Sequence, residues 1–239
     1  MKEQIFKMYK EISIGKNEIC NECKKHDSKL NSPVSIYHVG EEFDKSNDTI
    51  LFVGKTAVGG DGEFSGLPFD EDKLFIDATK FGEKSLDGNE HKSPFYSYTK
   101  EIIEKYYGSY ENGKKYIAFS NMVKCNNGTT EDTTEYQVQE HCVNKLRVIW
   151  KEVEILYPKR IIFYTHTTYD YFIEKYFKES NLENIIDFKT SPIGPQWHGR
   201  CTDKNNNIIC EFLRLGHPQG KIKDEFVNVV VRWLQSTKK

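Results

Sequence analysis

At 239 residues with 13% aromatic side chains, the chain is long enough to bury a substantial core and too rich in Tyr and Phe for intrinsic disorder. A net charge of −2 excludes a generic polycation for nucleic acid, although a local basic groove would still serve phosphate contacts. No apolar run reaches the ~20 residues needed to span a bilayer, and the opening MKEQIFKMYKEISIGK lacks a continuous apolar core and a small-residue cleavage site, so we expect a cytoplasmic protein with no membrane partner.

Residues 2–12 space Ile5, Met8, Tyr9 and Ile12 as one face of a helix. TILFVG (49–54) is a short apolar run suited to a buried strand, and the KTAVGGDGEFSGLPF that follows is loop by its four glycines and proline. SPFYSYTKEIIEKYYGSY (93–110) predicts a helix with Pro94 in its first turn. KYIAFSNMV (115–123) predicts a second strand, and 133–158 one long amphipathic helix stopping at Pro158. RIIFYT (160–165) is the third strand and 167–180 a further helix. IICEFLRLGHP (208–218), after the turn-like DKNNN, is the fourth strand, and KDEFVNVVVRWLQS closes the chain as a helix. Strands alternating with helices predict an α/β fold: a three-layer α/β/α arrangement around a mostly parallel four-stranded sheet. With no internal repeat or linker, the expectation is one domain over residues 1–239.

In a reducing compartment six cysteines are thiols or metal ligands sooner than disulfides. Cys20 and Cys23 form a CxxC, in which a tight turn brings two sulfurs within reach of one metal. With Cys125 and Cys142 they offer four thiolates, which suit a structural zinc or an iron–sulfur cluster, and spacing does not choose between the two. Each cysteine taken alone reads equally as a small buried hydrophobe. Cys201 and Cys210 flank DKNNN and are expected to face each other across a hairpin, in a structural role.

FSNMVKC (119–125) ends a strand on polar residues, at the kind of sheet edge where open α/β folds bind ligands. NMVKC after a strand, a second cysteine opening a long helix that ends LYPKRIIFYT, an N-terminal CxxC and a late HP together resemble the iron–sulfur uracil-DNA glycosylases of families 4 and 5, over about residues 17 to 235. The resemblance implies a 4Fe–4S cluster on Cys20, Cys23, Cys125 and Cys142, with zinc as the alternative, and a monomer whose partner is DNA. It also implies hydrolysis of the N-glycosidic bond of uracil, or of a related deaminated base, after base flipping. The first motif opens at Gly54 beside the base; Phe69 falls on the ring that stacks on the base and Asp72 on the catalytic aspartate, with Asp61 as substitute. Asn121 falls on the residue that selects the base, and His217 of HPQG on the histidine that contacts the base carbonyl. Lys55 stands where family 4 has an acidic residue, Glu71 where a glycine precedes the aspartate, and Gln219 where a small residue follows HP. These departures keep open a non-catalytic iron–sulfur member that binds DNA or protein. His166, where the family often has glycine, receives no role.

The residue types suit this chemistry. An aromatic face stacks on any flipped base and so does not separate uracil from cytosine, whereas the acceptor and donors of an asparagine amide match the N3–H and O4 of uracil. A histidine donating to O2 stabilises charge developing on the departing base, and a carboxylate orients water beside the cationic sugar. Read without the resemblance, Asn121 is a turn residue, His217 a loop histidine and Asp72 part of a solvated DED run.

Overall fold

The computed structural model describes residues 1–30, 33–56, 82–87, 93–125, 134–179, 183–191, 194–202, 205 and 207–238. They fall into two compact units. One takes in the described residues of Met1–Tyr37, Gly54–Lys80 and Ser120–Tyr157; the other those of His38–Val53, Phe81–Phe119 and Pro158–Lys239.

The second unit is built on a sheet. Its strands are β1 (His38–Val39), β2 (Ile50–Thr56), β3 (Ile117–Val123), β4 (Arg160–Phe163), β5 (Glu183–Ser191), β6 (Gly194–Thr202) and β7 (Ile208–Arg214), in the order β1-β3-β2-β4-β7-β6-β5. The last residues of β2 and β3 belong to the first unit. β4 pairs in parallel with β2, from Ile50↔Arg160 to Val53↔Phe163, and with β7, from Arg160↔Glu211 to Phe163↔Arg214. The middles of β2 and β4 read as apolar runs because they are covered on both faces: Leu51, Phe52, Val53, Ile161, Ile162 and Phe163 are all buried.

The four expected strands are therefore present as β2, β3, β4 and β7, but the sheet has seven strands and is mixed rather than mostly parallel. β1 pairs antiparallel with β3, β6 with β7, and β5 with β6. β1 has two residues, too few to show a period. β6 escapes notice because Gly194, Pro195 and Gly199 punctuate it like a loop. Gly199 has a packing reason: it pairs with Phe212, whose ring occupies the space a Cβ would take, 2.1 Å away. That ring in turn stacks on Phe177 (centroids 4.7 Å, 8°) and meets Trp197 edge-on.

Helices α3 (82–87), α4 (Pro94–Tyr107), α5 (Tyr110–Gly113), α8 (Asp170–Glu179) and α9 (Lys223–Ser236) belong to this unit. α4 packs on α9 through Tyr98 and Phe226, with ring centroids 5.8 Å apart. Buried Arg160 pairs with Asp48 and donates to the Thr237 hydroxyl and carbonyl (2.8 and 2.9 Å), which fastens the C-terminal turn to the start of β4.

The first unit contains α1 (Lys2–Glu11), α2 (Glu18–His26), α6 (Tyr136–Gln139) and α7 (Val148–Leu156). The single helix expected over 133–158 is broken. After α6 the chain takes a π turn over Glu140–Lys145, closed by Leu146 N–H donating to His141 O (2.9 Å), and Arg147 then adopts a left-handed conformation (φ 56) before α7 begins. No Gly or Pro lies in 140–147 to announce the break. π turns of this kind concentrate at functional sites. Among the described residues no helix is long and apolar enough to cross a membrane.

Candidate functional site

The first unit gathers four cysteines. Cys20 and Cys23 lie on α2 rather than in a tight turn, and one helical turn of separation puts both thiols on the same buried face. Asn17 starts that helix by accepting from Cys20 N–H (2.8 Å), and Gly15 N–H donates to Cys20 Sγ (3.1 Å). Cys125 lies two residues beyond the end of β3, and its carbonyl accepts from the Thr56 hydroxyl (2.7 Å). Cys142 sits in the π turn. All four line one cavity, walled by the apolar Ile14, Val138 and Leu146.

Burial pushes the Cys125 thiol well above its usual range, and the other three sulfurs push it further. Burial takes Cys23 up to about 11, with Cys20 adding to the rise. Burial also raises Cys142, to about 12, against the pull of the Lys124 backbone N–H and ammonium. Without a metal these thiols hold their protons; a bound cation would offset the burial that keeps them neutral. Among the described residues no three His, Cys, Asp or Glu side chains are arranged to hold a single metal ion.

Two groups beside the cavity were not anticipated. His141 is buried, and its Nε2 lies 2.8 Å from Lys145 Nζ and 2.9 Å from Gln137 Nε2, both donors, so its proton sits on Nδ1 and is directed at Cys23 Sγ, 3.2 Å away. Burial and then Lys145 lower its pKa, which keeps the ring neutral. Lys124, one residue before Cys125, is 1% exposed and pairs with Glu152, which is 0% exposed, at 2.6 and 2.9 Å. Ser120 and Tyr9 also donate to Glu152, and Tyr9 accepts from Ile36 N–H (3.0 Å). Burial, then the charge of Glu152, holds the Tyr9 hydroxyl well above its ordinary pKa. The only local signals were adjacency: His141 precedes Cys142, and Lys124 precedes Cys125.

No protein-family model matches the chain, and no curated protein does.

Of the other site candidates, Gly54 lies buried in β2, and Asn121 is buried in β3, where its side chain hydrogen-bonds Tyr37. Both belong to the first unit. Phe69 and Asp72, with the substitute Asp61, lie outside the described residues. His217 belongs to the second unit, in the loop after β7. Its Nδ1 accepts from Gln219 N–H (3.2 Å), so the neutral ring carries its proton on Nε2. The imidazole stacks on Phe95 of α4 (centroids 6.0 Å, 13°), an aromatic support that SPFYSY did not single out. Cys201 and Cys210 stand directly opposite each other across β6 and β7, buried and as free thiols, as the hairpin reading expected.

Proposed function

We propose that the chain is an iron–sulfur DNA glycosylase that removes uracil or a related deaminated base. The observation that carries this reading is the gathering of Cys20, Cys23, Cys125 and Cys142 on one apolar-walled cavity from three distant segments. The donor set suits a 4Fe–4S cluster, because four soft thiols face the cavity and three of the sulfurs have an N–H directed at them, from Gly15, His141 and Lys124. Zinc on the same thiols is the alternative. When bound, the group would cross-link these segments and compensate the negative charge of the thiolates.

Asn121 is the residue we assign to base selection, by pairing with the N3–H and O4 of uracil. His217, with its proton on Nε2, would donate to O2 of the departing base. Gly54 would leave room for the base, Phe69 would stack on it, and Asp72 would orient the attacking water, as the resemblance implies. Lys55 and Gln219, which depart from the family pattern, favour a second reading: a non-catalytic iron–sulfur protein that binds DNA or another protein. Alkaline treatment of uracil-containing DNA incubated with the purified protein tests the choice. Strand cleavage at uracil supports the glycosylase, and intact strands with iron-containing protein support the binding protein.

A further inference from the structure

His141 takes no part in base excision, and although it directly precedes Cys142 it serves a different cysteine. Consecutive side chains on a helix diverge by about 100°. Cys142 lines the cavity, while the buried His141 ring sets its Nδ1 3.2 Å from Cys23 Sγ, 118 residues away in the chain. This contact joins α2 to the π turn. At the other ring nitrogen, Nε2, stand Lys145 Nζ (2.8 Å) and Gln137 Nε2 (2.9 Å), each four residues from His141. Glu22 Oε2, at 3.7 Å, lies beyond hydrogen-bonding distance of that nitrogen. A histidine that ligates a metal offers a ring nitrogen without a proton. Neither nitrogen is open here, because Nδ1 carries the proton and the Nε2 lone pair already accepts from two donors.

The three sulfurs that receive an N–H are supplied differently. Cys20 takes it from the backbone of Gly15 (3.1 Å) and Cys142 from the backbone of Lys124, groups present whatever the side chain there. Cys23 depends on the side chain at position 141. A thiolate that accepts an N–H passes less charge to iron, so hydrogen bonds to the sulfurs shift the potential of a cluster. The reduced state is the more negative one, so a donor stabilises it and moves the potential upward. The Lys145 ammonium at Nε2 draws charge from the ring and strengthens the donor at Nδ1, since linked hydrogen bonds polarise one another.

We infer that His141 is a positioning residue for the cluster: it holds Cys23 in place through its N–H and raises the reduction potential of the bound 4Fe–4S group, with the exposed Lys145 reinforcing it. The inference rests on the iron–sulfur reading above. Redox titration of the full chain purified without oxygen, followed by visible absorbance beside iron analysis, tests it. His141→Leu should keep its iron and lower the midpoint so that the reduced-to-oxidised ratio at a fixed potential falls about tenfold, or about 59 mV for a one-electron couple. His141→Asn, whose amide nitrogen occupies the Nδ1 position, should restore most of that shift. Lys145→Met, a change at an exposed residue, should lower the midpoint by less and in the same direction. Iron-loaded His141→Leu and Lys145→Met with the wild-type midpoint would overturn the role of His141 and leave the cluster standing. Loss of iron from both His141→Leu and His141→Asn would make His141 a ligand and overturn its role as donor. A wild type that carries zinc and no iron would overturn the iron–sulfur reading and the inference with it.

Discussion

The Lys124 ammonium lies 2.6 Å from the Glu152 carboxylate, and neither side chain reaches water. A buried pair of this kind adds little net stability, because desolvation offsets the attraction, but removing one partner strands the other charge. Lys124→Met should therefore destabilise the protein by roughly 3–5 kcal/mol. The double variant Lys124→Met, Glu152→Leu should recover much of that loss, since no charge is left buried. Chemical denaturation of the three proteins checks this; an additive double variant would mean that the two residues act independently.

Protein purified without oxygen should be brown and contain about four irons per chain, from the four-thiol set. Cys125→Ser should bleach it and lower its melting temperature, because Cys125 is one of the links between distant segments. Cys201→Ser should keep its iron, as Cys201 faces Cys210 across β6 and β7 and does not line that cavity. One tightly bound zinc in a colourless protein would replace the cluster and leave the thiol cavity as the binding site.

His217→Ala should slow excision by about 100-fold or more, the usual cost of losing one donor to developing charge. Asn121→Ala should lose selection between uracil and cytosine along with rate, since it leaves a buried base edge unpaired. Single-turnover assays on uracil- and cytosine-containing strands separate the two effects. Asp72→Asn with an unchanged rate would move the water-positioning role to Asp61 or away from any carboxylate.

Gly199→Ala places a methyl group where the Phe212 ring already lies, 2.1 Å from a would-be Cβ. Overpacking of this kind costs about 1–3 kcal/mol. Thermal denaturation should show the loss, and Gly199→Ala combined with Phe212→Leu should regain part of it. A neutral single variant would mean that β6 and β7 do not share this register.

The central strands could be read from the sequence because a strand buried on both faces is mostly apolar, and ILFV, IAF, IIF and IICEFL supply such runs, the last interrupted only by Glu211, which pairs with Arg200 (2.9 Å). The four cysteines could also be grouped in advance, since thiols are few and CxxC sets two of them one turn apart. Tertiary structure alone decided the rest. Glu152 lies 28 residues from Lys124 and 143 from Tyr9, on a helix whose apolar period gives no hint that one face receives a lysine and a tyrosine. Gly199 reads as a loop residue until Phe212 is laid across it, and the helix expected over 133–158 breaks at a π turn that no glycine or proline marks. Local propensity and hydrophobic period act over a few residues, whereas a buried charge, a missing side chain or a widened helical turn is stable only because of a partner that the fold brings from elsewhere in the chain.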